Sequence, residues 1–398
     1  MHQKFHPQNK KEFILLIIIL GAIIAVGPLT IDIYLPAFSA IARDFAVSDA
    51  IVQLSLSTYF IGLAFGQIFY GPIIDRYGKK PPLFFGLILF LAASLLCSFA
   101  TSINQIIILR FFQAFGACAC TVVPRSIVRD IFSPQESARV FSHLLLVMGV
   151  APIMAPLLGN ILLEIYNWRA IFIFLALFAI FCLLLSHLKI PETRGFNEDE
   201  KISDGLKKYW GILHDKNFVI NSIIGGFTMS SLFSYITGSP FLYLEFFEMS
   251  PRQYGYIFSI NSIGFVIASQ INAKILKKTP LNIALEKALW MPAIAALALI
   301  FIAPIYTNFY FVTFLFFITL CSCGMIMPNT SALALANHAQ RSGSAAALLG
   351  TIQFILATIA SLLISHLHDG SIMPTCIIVG VCGLMPLIIS KFTKAHNQ

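Results

Sequence analysis

Charge is scarce in this sequence: Asp, Glu, Lys and Arg make up 11% of its 398 residues while hydrophobic residues make up 58%, about half the charged share of a soluble domain. A water-facing surface cannot be assembled from that composition, which excludes a soluble globular protein. Long polar stretches are also lacking, with one exception, and segment 303–310 contains no Lys, Arg, Asp or Glu at all. The outer loops, short and poor in charge, therefore leave no room for a folded extracellular domain. Metal-ligand spacing is missing too. The closest pairs among the eight cysteines, Cys118 with Cys120 and Cys321 with Cys323, are two residues apart, which on a helix turns the side chains about 200° from each other. No His and Glu spacing resembles a zincin site, and His143, His214 and His338 fall at predicted membrane boundaries. No metal or other cofactor is expected, and without a clustered nucleophile, base or ligand set an enzyme is not expected either.

What is present is apolar residues in long runs. A helix needs about 20 of them to cross a hydrocarbon core about 30 Å thick. Twelve such runs are read here: residues 13–36, 50–73, 81–100, 103–125, 139–162, 168–190, 217–243, 254–276, 284–304, 308–330, 344–366 and 371–392. The first follows Lys4, Lys10 and Lys11 as a secretory signal would, but it is too long and is interrupted by Asp32 and Pro36 without a small-residue cleavage site. It is read as a retained first span. The chain is thus expected to be an all-α membrane protein of twelve transmembrane helices.

The formal charge of +8 raises the question of a nucleic-acid partner, and the distribution of the 26 Lys and Arg answers it. Assigning loops alternately to the two sides puts 22 on the side of the N-terminus, three (Arg43, Arg169, Arg252) on the other, and leaves Arg110 within a span. This is the positive-inside pattern. It predicts cytoplasmic N- and C-termini and anionic lipid headgroups as the partners of the basic loops, with no nucleic acid.

The one long polar stretch, "PETRGFNEDEKISDGLKKYWGILHDK" at 191–216, separates six spans from six. It predicts an N-terminal bundle over 1–190, a cytoplasmic linker over 191–216 and a C-terminal bundle over 217–398. Equal span numbers on either side suggest a parallel internal repeat, an arrangement that places a substrate site near the midplane between two bundles.

Of the eighteen acidic residues, seventeen fall in loops, in the linker or close to span ends. Asp32, in "GPLTIDIYLPAF", is the exception. It precedes the expected outer end of span 1 by about five residues and lies up to about 12 Å below the outer surface. Arg110 in span 4 reaches a similar depth. Ionisable side chains at such depth cost roughly 2.5 to 3.5 kcal/mol on insertion scales and mark ion or substrate paths. Burial favours the neutral form of Asp32 and a nearby guanidinium its charged form, so a change in their separation would move a proton. A static pair joining spans 1 and 4 is the structural alternative.

Between spans 2 and 3 stands "GPIIDRYGKKPPL", with Gly71, Asp75, Arg76, Gly78, Lys79 and Lys80. The glycines permit close packing and a tight turn, Asp75 suits the positive N-terminus of a neighbouring helix, and Arg76 is placed to pair with Asp130 at the inner end of span 4. This loop resembles the signature loop of the major facilitator superfamily. Arg110, Gln113 and Gly116 in "RFFQAFGACA" resemble that superfamily's span-4 motif, with Ala114 where many members have glycine. In span 5, "GVAPIMAPLLGN" (Gly149, Pro152, Pro156, Gly159) resembles its antiporter motif, with Ala155 and Asn160 in place of glycines. Proline four residues from proline removes two hydrogen bonds on one helix face, and the small neighbours allow close helix approach. "LTIDIYLPAF", "YNWRAIF", "YITGSPF", "MPNTSALAL" and "GSAAALLGTIQF" resemble the bicyclomycin and chloramphenicol resistance (Bcr/CflA) branch of the twelve-span drug and proton antiporters, over nearly the whole chain.

The resemblance implies the major facilitator fold, two pseudo-symmetric six-helix bundles, and an exporter of drugs in a bacterial inner membrane. It implies the proton gradient as energy source and alternating access, in a monomer whose partners are lipids, protons and a small-molecule substrate. In it Asp32 carries the proton and Arg110 tunes it. Pro28, Ala25, Ile24 and Gly21, on the same face one or two turns earlier, are not ionisable, which makes one proton per cycle the simplest stoichiometry. Tyr34, Tyr59, Gln113, Tyr235, Asn261 and Gln353 are the candidate substrate contacts, with Phe233 and Phe258 beside them; such aromatics with a few polar groups suit apolar cargo. An exporter of an endogenous metabolite or siderophore, proton-driven uptake, and a membrane sensor or enzyme without transport remain open alternatives at this point.

Overall fold

The computed structural model describes residues 10–47, 49–190, 205–303, 305–367 and 371–395, and among these the regular structure is helical, with no strand. The helices are α1 (Lys10–Asp32), α2 (Phe38–Asp44), α3 (Asp49–Tyr77), α4 (Lys80–Ser98), α5 (Ile103–Ile131), α6 (Pro134–Ile165), α7 (Arg169–Lys189), α8 (Gly205–Leu213), α9 (Lys216–Pro240), α10 (Pro251–Ile275), α11 (Leu281–Phe301), α12 (Phe309–Ala334), α13 (Ser342–His366) and α14 (Met373–Ala395). All except α2 and α8 fall on the twelve predicted spans. Ten described helices are long and apolar enough to cross a membrane, and α6 and α10, of 32 and 25 residues, occupy the two remaining predicted spans. In lipid every backbone donor must find its partner within the segment, which makes the helix the obligatory conformation of these runs.

Several helices outrun the predicted spans, because hydropathy marks the hydrocarbon core whereas capping chemistry ends a helix. α5 continues to Ile131 rather than stopping near residue 125 and starts at Ser102, whose side chain accepts from Gln105 N. α9 begins at Asp215, which accepts from Asn217 N and Phe218 N, and α10 begins with a reciprocal capping box between Ser250 and Gln253. The linker expected over 191–216 contains α8, whose Tyr209 hydroxyl donates to Ile68 O of α3 at 2.6 Å; residues 191–204 lie outside the described residues.

The first span departs most from expectation. A continuous helix over 13–36 is predicted, but α1 ends at Asp32, and a short 3-10 turn, Leu35–Ala37, leads into α2. Pro36 supplies the reason: it has no N–H to give the carbonyl of residue 32, and its ring crowds that same carbonyl. The helix therefore stops at the acid. Beyond it, α2 is tied to the start of α7, where Trp168 Nε1 and Arg169 Nη1 each donate to Asp44 Oδ2 at 2.9 Å. Those two hydrogen bonds hold the Asp44 carboxyl below its ordinary range.

The chain forms two compact units, one of residues 1–132, 147–210 and 338–348, the other of 133–146, 211–337 and 349–398. Within the first, α5 packs on α1, α3 and α4, and α7 packs on α1 and α4. Within the second, α12 packs on α9, α10 and α11, and α14 packs on α9 and α11. The two lists map onto each other with α1 as α9, α3 as α10, α4 as α11, α5 as α12 and α7 as α14. This repeated pairing is the structural form of the internal repeat.

Small residues set the closest helix approaches. A Cβ at Gly116 of α5 would stand 2.5 Å from Gly86 O and 2.7 Å from Phe90 N of α4, so glycine alone fits there. All eight cysteines are buried free thiols and serve as further small packing residues.

Candidate functional site

Arg110 lies on α5 about two turns from its start, and it is 0% exposed. Its Cζ stands 4.5 Å from the Tyr34 ring centroid and 4.2 Å from that of Tyr59. The guanidinium is thus flanked by the segment that follows α1 on one side and by α3 on the other. Its Nη1 donates to Gln113 Oε1 at 2.7 Å, and Gln113 Nε2 in turn donates to Ser94 Oγ of α4 at 2.7 Å. Tyr34 is held by a hydroxyl contact to Ser55 Oγ at 2.8 Å. Three of the predicted substrate contacts, Tyr34, Tyr59 and Gln113, therefore form the immediate shell of Arg110. Among the described residues two electron-rich ring faces and one amide dipole, with no carboxylate, offset its charge, and Nε and Nη2 have no partner.

This arrangement makes a definite prediction. Lysine keeps the charge but not the planar surface that stacks between two rings, and a desolvated cation–π contact contributes about 2 kcal/mol. Arg110→Lys is expected to lower the thermal unfolding midpoint of the purified protein, while Tyr59→Phe, which keeps the ring, leaves it nearly unchanged.

Asp32 is half-buried at the broken end of α1, two residues from Tyr34. No ion pair or hydrogen bond joins it to a described residue. The static Asp32–Arg110 pair considered as the structural alternative is not present, because Arg110 is occupied by tyrosine faces. Gly159 of α6 faces the Ile33 carbonyl, where a Cβ would come within 2.6 Å, so α6 packs directly on this break. The side chains of Gly149, Pro152 and Pro156 lie outside the described residues, their backbone being helical within α6.

In the second unit, Tyr235 of α9 and Asn261 of α10 are joined by a 2.6 Å hydrogen bond from Nδ2 to the phenol oxygen. Phe258 stacks on Tyr235 with centroids 6.5 Å apart and planes at 20°. Phe233 meets Phe354 of α13 edge-on at 6.3 Å. Gln353 of α13 is 1% exposed, and its Nε2 has no hydrogen-bond partner. It sits against Gly225 of α9, where an added Cβ would stand 2.8 Å from that nitrogen and 2.9 Å from Thr330 Oγ1. Gln353 is thus set apart from Tyr235 and Asn261, with an unused donor.

The 71–80 motif and its partners belong to the first unit. Asp75 is fully buried and accepts from Gly343 N through Oδ1 and from Ser344 N through Oδ2, each at 2.9 Å. These are the opening N–H groups of α13, so the predicted capping of a neighbouring helix is what Asp75 does. Lys79, expected as a loop charge, is also fully buried. It pairs with Asp130 at 3.3 Å and donates to Ser342 Oγ at 3.0 Å, and Ser342 Oγ also meets Ser126 Oγ at 2.8 Å. Asp130 thus has Lys79 as an ion-pair partner, and Arg76, half-buried, has its Cζ 5.5 Å from the Tyr77 ring. Gly78 adopts φ 84°, the left-handed region that a side chain disfavours, and makes the turn into α4. Gly71 is closed in by Tyr209, Ser344 and Ala347, while Lys80 opens α4 half-buried.

Arg125 ends the predicted span 103–125, and the longer α5 places it inside the helix. It is half-buried, and its Nη1 has no partner. The signal that could have found it is its distance from Arg110, fifteen residues along one apolar run.

Comparison with known proteins agrees with this architecture. The family model "Major Facilitator Superfamily" matches residues 15–391. An uncharacterized MFS-type transporter, YdgK of Bacillus subtilis, is 33% identical over 367 residues, 90% of each chain. A bicyclomycin resistance protein homolog of Haemophilus influenzae is 28% identical over 394 residues, 98% of each, in agreement with the branch resemblance. The crystal structure of the Escherichia coli fucose:proton symporter FucP superposes with a TM-score of 0.75 at 15% identity, covering 96% of this chain and 98% of that one, which establishes the fold. A multi-pass helical protein with this fold and these relatives is a transporter of small molecules and not an enzyme. The chain belongs to the major facilitator superfamily.

Proposed function

We propose that this protein is a proton-coupled exporter of small organic compounds, drugs among them, that works by alternating access. It resides in a bacterial inner membrane with both termini in the cytoplasm, acts as a monomer among lipids, and draws on the proton gradient without a bound cofactor. The halves that rock are residues 1–190 and 217–398, joined by 191–216.

The observation that carries this reading is Asp32, a carboxyl without a described partner at a helix break, two residues before Tyr34, whose ring stacks on a buried arginine that has no carboxylate partner among the described residues. A carboxyl so placed changes protonation without having to break a structural pair first. In the proposed cycle Asp32 takes a proton from the outer side, the halves rock, and the proton leaves inside as substrate binds. Arg110, held by Tyr34, Tyr59 and Gln113, sets the potential against which the proton is released. Tyr235, Asn261 and Gln353 provide substrate contacts from the second unit. The network of Asp75, Lys79 and Asp130 on the start of α13 is the element that opens and closes, and the span-5 motif of α6 is the pivot. A drug-resistance relative supports drugs as cargo, and the same parts serve an endogenous metabolite.

Inverted membrane vesicles test the direction and the coupling together. An exporter accumulates a labelled drug such as chloramphenicol when the vesicle interior is acidified, and collapsing the gradient with a protonophore releases it. Accumulation only in right-side-out vesicles would assign uptake, and binding without flux in either orientation would reject transport altogether.

A further inference from the structure

The proton cycle leaves Arg125 without a task. It stands six residues before the end of α5, or about 9 Å from that end, and about 22 Å along the helix from Arg110. Elsewhere Lys79 meets Asp130, Arg169 meets Asp44 and Lys391 meets Glu286. Among the described residues Arg125 meets no carboxylate, and its Nη1 is buried without a partner.

Its surroundings show where the guanidinium faces. Thr121, one turn earlier on the same face of α5, packs beside Gly27 of α1. It also accepts a hydrogen bond from Gln67 Nε2 of α3 at 3.3 Å. That face meets α1 and α3, and Arg125 follows Thr121 one turn later along it, its Nη1 buried. Gln67 is fully buried, and its Oε1 has no donor. Among the described residues, a cation without a counter-ion on α5 and an amide oxygen without a donor on α3 thus both neighbour Thr121, Arg125 one turn along the helix and Gln67 through its hydrogen bond. Arg125 as a whole is only half-buried, so part of its side chain is accessible. An ionised group inside a membrane span is costly unless an opposite charge or water compensates it, and a guanidinium is built to hold carboxylate or phosphate oxygens through two parallel bonds.

We infer that Arg125, with Thr121 and Gln67, forms a subsite for the anionic group of the cargo, so that the transported compounds include organic carboxylates or phosphates. Gln67 Oε1 accepts a hydrogen bond from a donor next to that anionic group. The inference rests on the exporter reading for the word cargo, but the binding it predicts is independent of flux.

The test uses full-length protein in nanodiscs of neutral phosphatidylcholine, without a gradient. Ligand-induced shifts of the unfolding midpoint are measured for benzoate, phenyl phosphate, p-aminobenzoate and neutral benzamide, with wild type, Arg125→Gln and Arg125→Lys. Wild type is expected to bind an anion at least about tenfold tighter than benzamide. Arg125→Gln erases that preference without changing benzamide binding, and Arg125→Lys retains part of it, which also guards against misfolding of the glutamine variant. No anion preference in wild type, or the same preference in Arg125→Gln, overturns the inference. If the preference appears only as competition by phosphatidylglycerol in anionic nanodiscs, a lipid headgroup is the ligand, and the cargo subsite is rejected. Anion binding through Arg125 together with absent flux in vesicles would sink the exporter reading and leave the subsite standing.

Discussion

Asp32→Asn is expected to abolish proton-coupled efflux, at least about a hundredfold in initial rate, while leaving drug binding within a factor of two or three. Asparagine matches the shape of a protonated aspartic acid and cannot titrate, so the variant is held in the equivalent of the proton-loaded state. The expected size follows from the setting. Among the described residues no cation or hydrogen bond stabilises the ionised form, and the membrane penalises a charge at that depth by roughly 2.5 to 3.5 kcal/mol. Proton gain is therefore the natural way to discharge Asp32, and a conformational change that rehydrates it is the natural way to reverse this. Proton uptake by vesicles on drug addition, read with a pH-sensitive dye, gives the coupling, and equilibrium binding of labelled drug gives the affinity. Asp32→Glu, one methylene longer, is expected to recover part of the flux. Coupled flux in Asp32→Asn at the wild-type rate would remove Asp32 as the carrier and shift attention to another group.

The second large effect concerns the start of α13. Asp75→Ala removes two charge-assisted hydrogen bonds to Gly343 N and Ser344 N, each contributing about 1.5 to 3 kcal/mol, and with them a negative charge at a helix N-terminus. Amide hydrogen exchange of residues 342–348 is expected to quicken at least about tenfold, and efflux to fall by a similar factor with drug binding retained. Asp75→Asn, which keeps one acceptor but turns an N–H toward a donor, is expected to behave almost as badly. Because Lys79 reaches the same Ser342, Lys79→Met and Asp75→Ala should combine non-additively, as neighbours in one network do. Unchanged exchange over 342–348 in Asp75→Ala would show that the network is not what orders that segment.

Much of this molecule is legible in its sequence because lipid is an unforgiving solvent. A run of about 20 apolar residues must be a helix there, so twelve spans could be counted without coordinates, and Asp32 was visible as the acid among them. Asp75 was readable as a helix-capping residue and Gly78 as a turn, since both roles depend on local chemistry. The break of α1 at Asp32 was also present in the sequence as Pro36, four residues on, although a hydropathy profile runs through it.

Other assignments needed long-range packing. Arg110 was marked by its motif, but its shell of Tyr34 and Tyr59 in place of Asp32 depends on where the segment after α1 and α3 come to lie. Lys79 looked like one more orienting charge until its burial against Asp130, far along the chain, was seen. Arg125 looked interfacial because hydropathy ends a span where polar residues begin, whereas the helix itself runs on. By itself the sequence determined the helical class, the number of spans and the rarity of charge within them, since each follows from transfer free energy summed along a local window. Only the tertiary structure decided which of those few charges are paired and which are left open, because pairing depends on distances between helices that no local window contains.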